Sequence, residues 1–136
     1  MIINATNAGS RLSGIGKYSL SLSQYFLQYW NYPFKLFVNS RGIMHLKNLK
    51  DESRIKLVNR CVSPDYGFNG HLLRLLWTNK LSLQDQNDII FNTSQLEGCL
   101  YHKRQIITVH DLIPLIFQQY HKKQYHYFRF FLISSG

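Results

Sequence analysis

Short apolar segments alternate with longer amphipathic ones along most of the chain. Apolar runs rich in β-branched residues predict five strands, at residues 1–6, 34–38, 55–58, 88–91 and 105–109. Aromatic and leucine side chains recur at helical spacing, which predicts helices over residues 17–30, Leu72 to Leu83 and 120–132. Strands that alternate with helices form a parallel sheet flanked by helices, so we expect a Rossmann-like α/β fold.

The first predicted strand is followed by a segment with two glycines, Ser13-Gly14-Ile15-Gly16-Lys17-Tyr18. Glycines let a ligand approach the backbone closely, and a helix that begins after them offers free amides to a phosphate. A Walker loop would need glycine at Arg11 and serine or threonine at Tyr18. The dinucleotide fingerprint would need glycine at Ser19, so a nicotinamide cofactor is not expected. A plain tight turn between strand and helix is the alternative interpretation.

The fifth predicted strand ends on a histidine and an aspartate, within Ile106-Ile107-Thr108-Val109-His110-Asp111-Leu112-Ile113-Pro114. Both side chains are expected at the carboxyl edge of the sheet, where open α/β sheets bind their ligands. The ring of His110 can donate a hydrogen bond to a hydroxyl or an oxyanion. Asp111 has two open interpretations, as a catalytic residue or as a cap that accepts amide hydrogens of the following turn.

Charge narrows the class of ligand. The 136 residues include 16 Lys or Arg and 7 Asp or Glu, and the net charge of +9 attracts anions. The basic residues are scattered and form no run or stripe, which argues against nucleic acid. Phosphorylated ligands and an anionic membrane surface remain as partners, and a basic surface that is merely solvated is the alternative interpretation of the charge. The hydrophobic content of 45% predicts a packed core, and the length suits one domain.

Cysteine and histidine usage gives no sign of a disulfide framework or a metal centre. Cys61 and Cys99 are the only cysteines and form no Cys-x-x-Cys pair, which predicts reduced thiols in the cytoplasm. The histidines lack the spacing of metal ligands, so no metal is expected. The N-terminus shows no basic stretch followed by an apolar core, so no signal peptide is predicted.

Taken together, the two motifs resemble the N-terminal half of a retaining glycosyltransferase of family 4, which has the GT-B fold. Members commonly open with a short strand, a loop similar to Ser13–Tyr18 and a helix. Many bacterial members, mannosyltransferase-like in type, carry a segment much like Ile106–Leu115. The resemblance spans nearly all of the chain. The second motif is fairly specific, whereas the first is not.

The resemblance implies a nucleotide-sugar donor, a glycan or lipid-linked acceptor, and hexosyl transfer with retention and without a metal. It implies that the loop of Gly14, Ile15 and Gly16 lies near the donor diphosphate. It also implies that His110 contacts the donor sugar near the reacting carbon. The N-terminal domain of the family mainly holds the acceptor. His110 and Asp111 are therefore the catalytic candidates.

The sequence departs from the family in one large respect. The second domain, which grips the nucleotide with paired glutamates, has no counterpart, since Glu52 and Glu97 are the only glutamates. The last predicted helix is also not followed by the strand that a βαβ crossover requires. We therefore expect residues 1–136 to form the acceptor-side domain, incomplete at its C-terminus and inactive by itself. We expect it in the cytoplasm, peripheral to the inner face of the membrane.

A second hypothesis from a different class stays open at this point. A stand-alone α/β module that binds anionic ligands or nucleic acid would also explain the net charge of +9. The two hypotheses differ in one further expectation, since only the glycosyltransferase hypothesis predicts that a domain with the glutamate pair is encoded downstream of residue 136.

Overall fold

The computed structural model describes residues 1–46, 52–117 and 119–134. Five strands form one sheet, and in chain order they are β1 (Ile2–Asn4), β2 (Lys35–Asn39), β3 (Ile55–Val58), β4 (Ile90–Asn92) and β5 (Gln105–Ile107). All neighbouring strands are parallel, and the strand order is β3-β2-β1-β4-β5. The predicted Rossmann-like α/β sheet flanked by helices is confirmed.

Helices cover both faces of this sheet. The α-helices of the described ranges are α1 (Gly14–Tyr29), α2 (Gly67–Gln84), α3 (Ile113–Ile116) and α4 (Lys122–Ser134). Since side chains alternate across a strand, Ile3 packs with α1 while Ile2 packs with α2. Within the described ranges, no helix is both long and apolar enough to cross a membrane.

Most predicted elements are present, but their ends differ from the prediction. Helix α1 begins at Gly14 and not at residue 17, because the Ser13 hydroxyl caps it by accepting from the Gly16 amide at 3.1 Å. Strands β1 and β5 each end two residues earlier than predicted, at Asn4 and Ile107. The helix predicted over 120–132 lies at 122–134.

The three interior strands each end on a fully buried asparagine, namely Asn4, Asn39 and Asn92. The Asn4 amide donates to Asn92 Oδ1 at 2.9 Å and to Thr78 Oγ1 at 3.1 Å, which joins β1 to β4 and α2. The Asn39 amide donates to the backbone carbonyl of Thr6 at 2.7 Å. Buried polar groups need such partners, so these bonds determine how the chain leaves the sheet.

A buried ion pair joins α2 to the segment after β4. The Nε of Arg74 lies 3.0 Å from Oε1 of Glu97, and both side chains are almost wholly buried. Arg74 also donates from Nη1 to the carbonyl of Val62 at 2.8 Å. Burial raises the pKa of the Glu97 carboxyl, and the positive charge of Arg74 opposes that rise. Loss of either charge leaves the other uncompensated in the interior.

Replacement of Arg74 alone is therefore expected to be costly. The variant Arg74→Met should lower the free energy of unfolding by about 3–5 kcal/mol, because Glu97 stays buried without its partner. The double variant Arg74→Met with Glu97→Leu removes both charges and should recover much of that loss. Urea unfolding at neutral pH measures both values. A double variant less stable than Arg74→Met would contradict this account.

The two thiols differ in their surroundings. Cys99 is fully buried, and burial raises the pKa of its thiol to about 11, whereas Cys61 is half-buried. Because the thiolate is the reactive form, we expect a chromogenic disulfide reagent to label one thiol quickly in the native chain and both in urea. Cys61→Ala should abolish the fast phase, and Cys99→Ala should keep it. Fast labelling of native Cys61→Ala would contradict this expectation.

Candidate functional site

The chain reverses its direction of winding at the centre of the sheet. Strands β1 and β4 lie side by side, and the chain continues from β1 toward β2 on one side and from β4 toward β5 on the other. Ligands of open α/β sheets bind outside the strand ends at this reversal. We name the crevice there the switch-point cleft and define it by residues 5–18, 93–95 and 108–111.

His110 is held in this cleft by contacts from three directions. Its Nε2 lies 2.8 Å from the backbone carbonyl of Thr93, which follows β4. The ring of Tyr18, from α1, meets the His110 ring edge-on with centroids 4.8 Å apart. The Tyr18 hydroxyl lies 3.3 Å from Thr108 Oγ1, and the His110 amide donates to Gln95 Oε1 at 3.2 Å. These contacts fix both the ring and its backbone.

The contact with Thr93 assigns the hydrogen on the neutral ring. A carbonyl oxygen only accepts, so Nε2 of His110 must carry the hydrogen. Nδ1 is then the acceptor that a neutral His110 offers to a ligand. The sequence predicts that the ring can donate a hydrogen bond to a ligand. In the neutral form, however, its one N–H group donates to the Thr93 carbonyl within the protein.

His110 lies three residues beyond the last residue of β5, and not at the end of the strand as predicted. The ladder closes with the bond from the Thr108 amide to the Asn92 carbonyl, at 3.0 Å. Beyond this bond β4 has ended, so the chain that follows β5 has no neighbouring strand with which to pair. The segment from Thr108 onward is therefore free to turn toward α1 and bring the ring into the cleft.

Asp111 makes the contact expected of a cap. Its Oδ1 accepts a hydrogen bond from the amide of Ile113 at 2.7 Å, where α3 begins. Asp111 is exposed, and its carboxylate is used in the turn that leads into that helix. The hydrogen bond from the Ile113 amide is the kind that the capping interpretation predicts, and a catalytic role for Asp111 stays a prediction.

Gly14, Ile15 and Gly16 form the first turn of α1, and not a loop or tight turn before it as predicted. The amides of a first helical turn have no acceptor within the helix, and they carry partial positive charge. A Cβ added to Gly14 would meet no atom within 4 Å, so this position borders open space. Gly16 is buried, and its added Cβ would contact Leu12 and Ser13 at 3.5 Å. Gly14 is therefore the glycine that a ligand can approach.

The loop between β1 and α1 is anchored at Ser10. The Ser10 amide donates to both carboxylate oxygens of Asp65, at 3.1 and 3.0 Å. Nε2 of His45 lies 3.1 Å from the Ser10 carbonyl. Partial burial acts to raise the pKa of Asp65, but hydrogen bonds from Ser10 and Ser63 and the charge of Arg41 outweigh it. The pKa therefore lies below its usual value of 3.8.

Two glycines let neighbouring segments pack against this loop. A Cβ on Gly42 would collide with the backbone carbonyl of Ala8, so the turn after β2 lies directly against the loop. A Cβ on Gly9 would lie 2.6 Å from Oδ1 of Asp65 and 2.9 Å from Pro64. Neither position accepts a larger residue without movement of the loop. The approach to α1 is thus held from two sides.

Thr93 links the segments of the cleft, although it was not among the predicted site residues. Its hydroxyl donates to the Asn4 carbonyl at 2.8 Å and accepts from Ser19 Oγ at 2.8 Å and from Asn7 Nδ2 at 3.2 Å. Oδ1 of Asn7 is buried and has no hydrogen-bond partner among the described residues. A signal was present in the sequence, since the apolar runs of β1 and β4 both end on asparagine, with a threonine one or two residues later.

Positive charge flanks the start of α1. The connections after β1 and β2 carry Arg11 and Arg41, Lys17 lies in α1 near its first turn, and Asp111 after β5 brings one opposing charge to the same edge of the sheet. Arg41 lies 3.7 Å from the carboxylate of Asp65, which offsets one of these charges. The balance favours an anionic ligand. Among the residues that the structure describes, no three His, Cys, Asp or Glu side chains are gathered as metal ligands would be.

Comparisons with protein-family models, with curated proteins and with solved structures find no match. The two main properties of the cleft are an acceptor nitrogen on a fixed histidine and a positively charged border next to the first turn of α1.

The anchoring of Ser10 by Asp65 has a pH dependence that can be measured. Asp65→Asn should lower the free energy of unfolding at neutral pH, because it removes the charge and one acceptor oxygen. A group with a lowered folded pKa stabilises the fold above its unfolded pKa, and this contribution is lost as pH falls through the folded value. The difference between the two proteins should therefore disappear below pH 3.8. Urea unfolding across this range would show a constant difference if the anchoring were not ionic.

Proposed function

We propose that the chain is the acceptor-side domain of a retaining glycosyltransferase that moves a hexosyl group from a nucleotide sugar to a glycan or lipid-linked acceptor. The observation that carries this proposal is the placement of His110 in the switch-point cleft, against Tyr18 of α1. The resemblance to family 4 transferases implies a histidine beside the donor sugar in the corresponding motif. A fixed ring with a defined acceptor atom suits that role.

The first turn of α1 supports a role in binding a diphosphate. Sugar transfer requires stabilisation of a diphosphate that gains negative charge as its bond to the sugar breaks. The amides of Gly14 and Ile15 belong to a helix N-terminus, which binds phosphate favourably, and no Cβ at Gly14 obstructs them. Arg11 and Lys17 flank the same turn and add positive charge.

Tyr18 links the first turn of α1 to His110, which favours a sugar diphosphate as the ligand. Tyr18 lies one helical turn beyond Gly14 and contacts the His110 ring, so a sugar attached to a diphosphate at the turn would lie near that ring. Nδ1 of the neutral ring accepts a hydrogen bond from a sugar hydroxyl. This contact would orient the sugar relative to the diphosphate, and orientation of this kind accelerates transfer.

The test uses the full chain joined to the nucleotide-binding domain of a family 4 transferase, since the resemblance implies that this domain grips the donor. Product formation is measured with a panel of nucleotide sugars and with glycan and lipid-linked acceptors. His110→Gln keeps a donor that can reach the Thr93 carbonyl and loses the Nδ1 acceptor. Turnover is expected to fall on the order of 10²-fold, as when one positioned polar contact to the reacting groups is removed.

Control variants separate this role from a structural one. His126→Gln changes an exposed histidine of α4 and should leave turnover unchanged. Gly14→Val should keep the fold and lower turnover, because its side chain would occupy the space beside the first-turn amides. Normal turnover in a folded His110→Gln variant would contradict the proposal. The alternative, a stand-alone module that binds anionic ligands, predicts a different result. It would be favoured if the chain bound nucleoside diphosphates equally well with and without a sugar and the joined protein transferred none.

A further inference from the structure

An apolar groove runs along α2 on the side that faces away from the sheet. It is lined by Leu72, Leu75, Leu76, Leu83, Leu100 and Tyr101, and it encloses about 360 Å³. Several of these side chains are exposed, and Tyr101 retains 85% of its accessible surface. We name this feature the leucine groove. Its volume falls within the range of roughly 300–1,000 Å³ that is usual for small-molecule sites.

The wall of the groove is preformed, and the polar groups of Asn79 and Ser82 in it are already used within the protein. Oδ1 of Asn79 accepts from the Leu100 amide at 2.9 Å, which fixes the segment before β5 to α2. Nδ2 of Asn79 donates to the Leu75 carbonyl at 2.9 Å, and Oγ of Ser82 donates to the Asn79 carbonyl at 2.7 Å. A ligand in the groove therefore meets apolar surface, and its hydrophobic burial would stabilise the complex.

One end of the leucine groove opens into a basic cavity. This second cavity, of about 420 Å³, shares Leu83 and Tyr101 with the groove and is also lined by Lys103 and Arg104. Both residues are exposed, and Nη1 of Arg104 donates to the Asn87 carbonyl at 2.7 Å, which holds its guanidinium in place. They precede β5, so this end lies at the amino edge of the sheet, opposite the switch-point cleft. An apolar channel that ends at two cations is complementary to a ligand with a hydrocarbon chain and an anionic head.

Charge also weighs against a second copy of the chain as the occupant. Two copies would each bring a net charge of +9 and a basic groove end to the same contact. Like charges brought together across an interface oppose association. Nucleic acid would satisfy Lys103 and Arg104 but would leave the leucines exposed.

We propose that the leucine groove is a binding site for a single-chain anionic amphiphile, such as a fatty acid or an alkyl phosphate. The hydrocarbon chain lies along Leu72, Leu76 and Leu83, which span about 16 Å at the rise of an α-helix. The anionic head lies between Lys103 and Arg104. This site is separate from the switch-point cleft and does not depend on the function proposed for it.

Calorimetric titration of the 136-residue chain with dodecyl phosphate, kept below its micelle concentration, tests this proposal. We expect one molecule to bind per chain. Octyl phosphate should bind at least about tenfold more weakly, because each methylene that leaves the groove removes hydrophobic burial. Dodecylphosphocholine has the same chain with a zwitterionic head of zero net charge, and it should also bind more weakly, on the order of tenfold, because its choline cation opposes the two basic side chains.

Matched variants locate the site. Leu76→Asp should weaken binding of dodecyl phosphate on the order of tenfold or more, whereas Leu57→Asp on β3 should not change it. The two leucines are equally exposed, at 60% and 62%, so both variants are expected to fold. Lys103→Glu should weaken the binding of dodecyl phosphate more than the binding of dodecylphosphocholine. Lys56→Glu, which carries the same charge change on β3, should have no effect.

Three results would overturn the proposal. The first is equal affinity of Leu76→Asp and the unmodified chain for dodecyl phosphate. The second is binding that occurs only to vesicles of anionic phospholipid, since that would identify a membrane surface in place of a site for one molecule. The third is a dimer in sedimentation experiments that Leu76→Asp dissociates, because a second copy would then fill the leucine groove.

Discussion

The geometry of this molecule depends on how buried polar groups are satisfied where the interior strands end. Strands β1, β2 and β4 leave the sheet in its interior, where unpaired backbone groups would be costly. Asn4, Asn39 and Asn92 supply side-chain donors and acceptors at these three points. Each amide offers two donor hydrogens and an acceptor oxygen on separate atoms of a short side chain, whereas a hydroxyl has one donor hydrogen and an aliphatic side chain has none. The loops are consequently set by side-chain chemistry as much as by backbone preference.

The hydrogen bonds at these strand ends also make the cleft rigid. Asn39 and Asp65 hold the loop after β1, which in turn fixes the start of α1. Thr93 connects the ends of β1 and β4 through its hydroxyl, while its carbonyl accepts from His110. The first turn of α1 and the histidine ring are therefore both positioned relative to the same two strand ends. Polar groups held in place in this way need little reorganisation when a charged group approaches them.

The periodicity of apolar residues was sufficient to predict the fold class but not the site. Strand and helix patterns identify α/β alternation, whereas the adjacency of β1 and β4 is a long-range property that periodicity does not encode. The start of α1 was misplaced because Gly14 and Gly16 carry no hydrophobic signal, and Ser13 acts through a cap. The contact of His110 with Tyr18 arises only because the chain turns after β5 has lost its partner, so no local pattern contains it.

Asn7 shows that the loop geometry takes precedence over complete hydrogen bonding. Its Nδ2 donates to Thr93 and, at 3.4 Å, to the buried carboxylate of Glu97, while its Oδ1 has no partner among the described residues. A buried acceptor without a donor costs about 1–3 kcal/mol. Rotation of the amide would turn its oxygen toward Glu97, whose carboxylate only accepts while it is paired with Arg74, and would withdraw one donor from Oε2 of Glu97. The observed orientation of the amide, which leaves Oδ1 unsatisfied, is therefore the less costly of the two. Asn7 lies where the loop after β1 meets the buried Arg74–Glu97 pair and the cleft begins.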